Sequence, residues 1–261
     1  MSVAVVLGLL QGLTEWLPVS SEGVIAAAYS LMTDGSFADA VAYALWLHAG
    51  TALAAIIMFR QELVGLTKEL FAVRTRPSPM LLFLILATIT SAGVAIPLLI
   101  GLQEISSIGG AVAMGVVGAF MLVTGYVQLR RRAFGVRTRD SLGPMDAILT
   151  GIAQGVAAIP GLSRSGLTVA TLLGRGVQRK EALVISFLMS IPASLGAALF
   201  AVLDNGFDFS PEHIVGLALA FVVGLLTLRF LLAVTEKINL GAFVIFVGLL
   251  MVGGALFEVF R

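Results

Sequence analysis

Two short stretches of this chain hold side chains that can do chemistry together. The first runs Gln11-Gly12-Leu13-Thr14-Glu15-Trp16-Leu17-Pro18-Val19-Ser20-Ser21-Glu22-Gly23, and the second runs Pro160-Gly161-Leu162-Ser163-Arg164-Ser165-Gly166-Leu167-Thr168. Arg164 is the only ionisable side chain between positions 147 and 174. An arginine in so apolar a run is costly, and it is retained where it faces protein, water or an anion. Pro160 interrupts any helix there, and Gly161 and Gly166 let backbone amides turn toward a guest. Free amides, the hydroxyls of Ser163, Ser165 and Thr168, and one guanidinium fork suit a phosphate oxyanion. In the first stretch Gln11 and Glu15 are four apart, hence on one face of a short helix. Ser20, Ser21, Glu22 and Gly23 follow directly after the Pro18 interruption. Carboxylates with serines, set opposite an arginine, suit phosphoryl transfer. The acids hold a divalent cation or move protons, a serine attacks or positions water, and Arg164 neutralises the phosphoryl oxygens. On this reading Glu15 is the candidate ligand for Mg²⁺ or Ca²⁺.

These stretches must be positioned by elements that live in lipid. Hydrophobic residues make up 59% of the 261-residue chain and charged ones 12%. The mean hydropathy is +1.04. A soluble domain carries about 25% charged residues, so the composition is that of a polytopic membrane protein. The net charge of +1 and the absence of cysteine exclude a disulfide framework and thiol chemistry, and give no sign of a nucleic-acid partner. The first residues lack a basic region, so no cleaved signal peptide is expected. Long apolar segments lie at 40–59, 78–103, 105–129, 182–203, 213–235 and 238–258. Each matches the roughly 20 residues that a spanning helix needs, which predicts an all-α protein with six transmembrane helices.

Segments 1–31 and 146–174 are apolar too, but each is cut in half by its chemical motif. Halves so short cannot cross, and broken segments at matching places in two halves of a chain suggest re-entrant hairpins lining a central site. The halves do match. Gly8-Leu9-Leu10-Gln11-Gly12 recurs as Gly151-Ile152-Ala153-Gln154-Gly155, an offset of 143 that also carries Gly23 onto Gly166. The chain therefore reads as a single membrane domain of two repeats, 1–129 and 146–261. A hairpin plus three crossings leaves the second repeat inverted. Basic residues test that topology. Arg60, Lys68, Arg74, Arg76, Arg130, Arg131, Arg132, Arg137, Arg139, Arg175, Arg179, Lys180 and Lys237 all fall on one side, with Arg229 near it. The opposite loops hold Asp34, Asp39, Glu104, Asp204, Asp208 and Glu212 and no basic residue. The basic side is expected to be cytoplasmic, which puts both termini outside and the site at the midplane, open to the extracytoplasmic face.

The run from Gln11 to Ser21, together with Pro160 to Gly166, resembles the undecaprenyl-pyrophosphate phosphatase (bacitracin-resistance) family over essentially the whole chain, including Leu47-His48-Ala49-Gly50-Thr51. The resemblance implies a plasma-membrane enzyme that removes the terminal phosphate of a polyprenyl diphosphate and so recycles a lipid carrier for envelope glycans. It implies Gln11 and Glu15 in the acidic motif, Ser21 as nucleophile or water-positioner, and Arg164 as the phosphate-binding arginine. One departure stands out: Glu22-Gly23-Val24 replaces the usual Thr/Ser-Gly-His. Glu22 is then a candidate to take over part of a histidine's work, and the variant looks like the archaeal branch, with a dolichyl-type or undecaprenyl carrier.

Blander readings stand beside these. Arg164 can tie broken-helix carbonyls together, and Gln154 can do the same across a hairpin. His48 reads as a buried, satisfied polar group that borders the pocket. Ser20 and Ser165 can cap the half-helices, Asp146 can cap the second hairpin, and Arg130–Arg132 is a topological signal that also suits anionic lipid heads. The rival function is a lipid-phosphate flippase or transporter on the same inverted repeat. The expected partners are the lipid substrate and the membrane, and a homodimer is compatible with the class.

Overall fold

The computed structural model describes residues 1–72, 76–104, 110–130, 135–159, 161–204, 210–234 and 240–259. Pro160, Arg74, Arg131, Arg132, Asp208 and Lys237, invoked above, lie outside them. The described residues form eleven α-helices: α1 (Ser2–Thr14), α2 (Ser21–Met32), α3 (Phe37–Met58), α4 (Arg60–Leu70), α5 (Pro79–Glu104), α6 (Gly110–Arg130), α7 (Pro144–Val156), α8 (Arg164–Gly174), α9 (Arg179–Asp204), α10 (Pro211–Val234) and α11 (Leu240–Val259). A single 3₁₀ turn covers Arg139–Ser141, and no strand occurs among the described residues beyond an isolated bridge between Arg137 and Val177.

Four helical stretches are long and apolar enough to cross a membrane: Ala38–Met58, Pro79–Gly101, Arg179–Leu203 and Pro211–Ala233. The other two expected segments are helical as α6 and α11, next to residues 105–109 and 235–239, which are not described. Along α5, Leu82, Ile85, Ile89, Ile96 and Ile100 recur on an exposed face. Meanwhile Gln11, Glu15, His48, Gln154, Thr168, Ser190 and Ser194 are buried. Apolar outside and polar inside is the arrangement lipid demands.

One element was not anticipated. The stretch after the first span reads as a charged loop, yet α4 folds there with no fully buried residue, and Leu63 and Leu66, three apart, lean on the core. That i, i+3 pair is the signal the charge count obscures.

Helix pairing crosses between the two halves of the chain: α1 packs on α10, α7 on α5, α3 on α9, and α6 on α11. Three of these contacts depend on small residues, α6 meeting α11 where a Cβ on Gly118 would lie 2.9 Å from the Gly248 carbonyl. A Cβ on Gly8 or Gly12 of α1 would come within 2.7 Å of the α10 backbone, and one on Gly151 or Gly155 of α7 within 2.8 Å of the α5 backbone. Without a hydrophobic force between helices in lipid, such close backbone approach supplies the packing energy. The core beneath holds Trp16, Phe83, Leu172, Phe187, Met189 and Leu228.

Ion pairs and ring contacts fasten the connecting segments. Arg137 pairs with Asp146, Arg175 with Asp146, and Arg139 with Glu181 (2.6–2.7 Å), gathering three connecting segments at one end. Toward the other end the Trp46 indole donates to the His213 carbonyl (3.1 Å), and Tyr43 stacks on His213 at 4.9 Å.

Candidate active site

The four short helices α1, α2, α7 and α8 have 13, 12, 13 and 11 residues, about half a membrane-spanning length each. Their two interruptions meet. Ser20 carries φ = 54°, the only positive value among the described non-glycine residues. A left-handed serine costs roughly 1–2 kcal/mol, and its hydroxyl offsets this by accepting two amides. One is the N–H of Gly23 in its own segment (3.3 Å); the other is the N–H of Gly161 in the opposite segment (3.0 Å). Gly161 itself has φ = 99°, and a Cβ there would lie 2.5 Å from the Val117 carbonyl, so only glycine fits. Ser165 Oγ returns the contact by donating to the Leu17 carbonyl (3.0 Å), and lies 3.3 Å from Ser163 Oγ. Ser163 Oγ caps α8 through the Gly166 N–H (3.2 Å). These caps are what the orphan amides of a half-helix need.

Glu15 sits at the centre, its side chain fully buried. One oxygen, Oε2, accepts from Gln11 Nε2 (2.7 Å) and from Ser21 Oγ (2.8 Å). The other, Oε1, is paired with the Arg164 guanidinium. Arg164 begins α8 and is further held through NH1, which donates to the Ser190 carbonyl (3.2 Å) and to Ser194 Oγ (3.0 Å). The orientation of Glu15 is backed by its neighbour: Trp16 donates to the Gly224 carbonyl (2.8 Å) and packs edge-on against Phe187 at 5.3 Å. His48 of α3 points its Nε2 into the same cluster, 3.1 Å from Glu22 Oε1 and 3.4 Å from Glu15 Oε2.

Gln11, Glu15, Ser21, Glu22, His48 and Arg164 are thus brought together. Ser20, Gly23, Gly161, Ser163, Ser165 and Gly166 lie beside them, with their hydroxyls and amides engaged in closing the two breaks. Thr168 turns elsewhere: its hydroxyl donates to the Arg164 carbonyl (2.8 Å) and lies 2.6 Å from Ser186 Oγ. Gln154 bonds Ser91 (3.3 Å) and the Met189 carbonyl (3.4 Å), away from Glu15. Asp146 does receive the Gly143 amide at the start of α7, in keeping with a cap.

Ser190 and Ser194 were missed. They are four apart in the apolar middle of α9 and flank Pro192, so they share a face. Paired hydroxyls inside a membrane-length helix are a readable sign of a buried polar partner.

Glu15 does not fit a divalent cation as it stands. Arg164 covers one oxygen and two donors occupy the other. No group of three or more acidic, histidine or cysteine side chains among the described residues is arranged to hold a metal.

Known proteins resemble this chain along nearly its whole length. The model of the family described as bacitracin resistance protein BacA matches residues 4–253. The undecaprenyl-diphosphatase of Methanococcoides burtonii is 38% identical over 262 residues, covering 97% of each chain. That of Haloarcula marismortui is likewise 38% identical over 97% of both. The undecaprenyl-diphosphatase of Methanothrix thermoacetophila is 34% identical, covering 95% of this chain and 94% of its own.

Proposed function

The chain belongs to the bacitracin resistance protein BacA family, and from that premise we infer that it is a polyprenyl diphosphate phosphatase of the membrane. It hydrolyses the terminal phosphate of the lipid diphosphate and returns the monophosphate carrier to envelope glycan synthesis. The observation that carries the site assignment is Glu15, which holds a hydroxyl on one oxygen and a guanidinium on the other.

That arrangement divides the work. The terminal phosphate takes the place of Glu15 against Arg164, whose charge offsets the negative charge on the phosphoryl oxygens. Glu15, released from the arginine, accepts the proton of Ser21 Oγ, 2.8 Å away. Ser21 Oγ then forms the new P–O bond as the bridging P–O bond breaks, and the lipid monophosphate leaves. Water hydrolyses the phosphoserine to inorganic phosphate. Gln11 keeps Glu15 oriented throughout. A divalent cation, Mg²⁺ or Ca²⁺, belongs in this proposal with the substrate, as counterion to the diphosphate oxygens. A transporter needs binding groups alone; the hydroxyl held on a buried carboxylate favours the phosphatase.

The finer architecture also belongs to this proposal: six crossings, two re-entrant hairpins and an inverted repeat in the plasma membrane. The pairing of α1 with α10, α7 with α5, α3 with α9 and α6 with α11 supports it, because a two-fold axis in the membrane plane exchanges the partners in this way. The sorting of basic residues into alternate loops of the sequence supports an extracytoplasmic site with the prenyl tail between helices.

Purified protein given C15 and C55 polyprenyl diphosphates tests the reading. Phosphate release that chelation abolishes and Mg²⁺ restores, with ³²P label retained on Ser21 after acid quench, is the expected result. Turnover without trapped phosphoserine in a slow-hydrolysis variant assigns the attack to water. No release from any diphosphate overturns the phosphatase. Mn²⁺ spin-resonance titration adds a second measurement: no tight site in free protein, and one when a diphosphate is present.

A further inference from the structure

His48 is buried against two carboxylates, and the mechanism above gives it no task. Its Nδ1 lies 2.6 Å from the Ala44 carbonyl one turn back in α3. A carbonyl only accepts, so Nδ1 carries a proton and donates it there. The other nitrogen, Nε2, is 3.1 Å from Glu22 Oε1 and 3.4 Å from Glu15 Oε2. The charged groups facing the ring are Glu22 from α2, Glu15 from the end of α1 and, beyond Glu15, Arg164 from α8. Its own helix contributes the Ala44 carbonyl, and Gln11 of α1 is neutral. A bare lone pair on the buried Nε2 would face two anionic acceptors, an arrangement that buried polar groups avoid. One further proton resolves it. With that proton the set Arg164, His48, Glu15 and Glu22 has as many positive as negative charges.

We propose that His48 holds the exchangeable proton of this site on Nε2 and relays protons from Glu15 to Glu22. The idea rests on the phosphatase reading and adds the route by which its proton leaves. Each turnover delivers one proton from the attacking hydroxyl to Glu15 Oε2. His48 hands its Nε2 proton to Glu22 Oε1 and takes up the one on Glu15. The Nδ1 proton never moves. Glu22, whose side chain is 16% exposed against 0% for Glu15, then gives its proton to water. Glu15 is reset as a carboxylate. One proton enters and one leaves, as hydrolysis of an anhydride near neutral pH requires. His48 acts through Glu15 and touches no reacting atom, so it is a positioning and proton-relay residue.

The test compares wild type, His48→Gln and Glu22→Gln in detergent on a C15 diphosphate. Glutamine keeps a hydrogen-bond donor beside the carboxylates but cannot cycle a proton. We expect kcat to fall roughly 100-fold in His48→Gln, within the range of acid–base groups, with KM within about threefold. One limb of the pH–kcat profile should disappear, and the solvent deuterium effect with it. An unchanged kcat and pH profile in His48→Gln would overturn the relay while leaving the phosphatase standing; a wild type inert on every diphosphate would instead overturn the phosphatase. Because the chain has two histidines, ¹⁵N spectra of a His213→Gln background report on His48 alone, whether or not the other variants fold. A protonated Nε2 near neutral pH that shifts on Glu22→Gln supports the relay. An Nε2 unprotonated throughout pH 5–9 sinks it.

Discussion

The two broken segments use one backbone device for opposite ends. In each, a helix of 13 residues stops, the chain turns, and a helix of 11 or 12 residues begins behind a capping serine, Ser20 or Ser163. At the offset of 143, Gln11 corresponds to Gln154, Ser20 to Ser163 and Gly23 to Gly166. The chemistry in between has diverged. Glu15 has become Ala158, Ser21 has become Arg164 and Glu22 has become Ser165. The first segment therefore owns the acid and the hydroxyl, and the second owns the cation. Neither is a site alone, and the contacts of Ser20 with Gly161 and of Ser165 with Leu17 join them. Two segments of similar length thus form a polarised centre because they carry different chemical groups at matched positions, Glu15, Ser21 and Glu22 against Ala158, Arg164 and Ser165.

The largest expected break in this comparison is at Arg164. Arg164→Ala should lower phosphate release by two to three orders of magnitude, since one such donor is typically worth ~3 kcal/mol in the transition state. Arg164→Lys should be nearly as damaging. The guanidinium serves Ser190, Ser194 and Glu15 at once, and an ammonium cannot reproduce that planar fork. Steady-state phosphate release on folded, monodisperse protein decides it; a lysine variant with most of its activity would refute the fork.

The two glutamines sharpen the comparison at a smaller scale. Gln11→Leu removes a donor at 2.7 Å from a fully buried carboxylate. A hydrogen bond to a charged group contributes about 1.5–3 kcal/mol, so activity should fall roughly tenfold or more. Gln154→Leu removes only long contacts of 3.3 and 3.4 Å to a hydroxyl and a carbonyl. Its kcat should stay within about twofold of wild type. Equal losses would mean that the second segment shares the catalytic work.

What the sequence made legible divides along the same line. The i, i+4 spacing of Gln11 and Glu15 and the isolation of Arg164 are local facts, and both stand in the structure as a hydrogen bond and an ion pair. Contacts that depend on how a third helix passes were not legible. His48 reads as bordering the pocket, but not as touching the carboxylates: it lies 33 residues from Glu15 in sequence, and only the packing of α3 on α1 and α2 brings it to them. Ser190 and Ser194 reach Arg164 for the same kind of reason, through α8 on α9. Thr168 was grouped with the phosphate stretch by adjacency, but one helical turn carries it round to Ser186. The charge density of α4 hid its Leu63 and Leu66 stripe.

A smaller effect separates the outer ends of the two segments. The second is clasped at the start of α7, where Asp146 receives Arg137, Arg175 and the Gly143 amide. Burial by itself pushes this carboxyl up, but the hydrogen bonds from Arg137, Arg175 and Gly143 outweigh it and hold Asp146 at about 2. A folded value below the unfolded value of ~3.9 means stability that is present above pH ~4 and lost as pH falls through about 2. The contribution is about 2 kcal/mol. Asp146→Asn should lower the melting temperature at pH 7, and the gap to wild type should close as pH drops from about 4 toward 2. A gap that persists unchanged at the acid end would assign the effect to packing.

The side toward which each segment opens can be read without any activity. If the first segment opens outward and the clasped end of the second lies in the cytoplasm, the acidic and basic ends are on opposite faces. Asp34, after α2, and Lys68, on α4, are both exposed and take no part in the site. The chain has no cysteine, so Asp34→Cys and Lys68→Cys each introduce a single thiol. A membrane-impermeant maleimide on intact cells should label the first and spare the second, and lysis should make the second reactive. The reverse pattern would turn Glu15 and Ser21 toward the cytoplasm and deliver phosphate there. Labelling of both in intact cells would mean dual insertion, in which each broken segment serves either face.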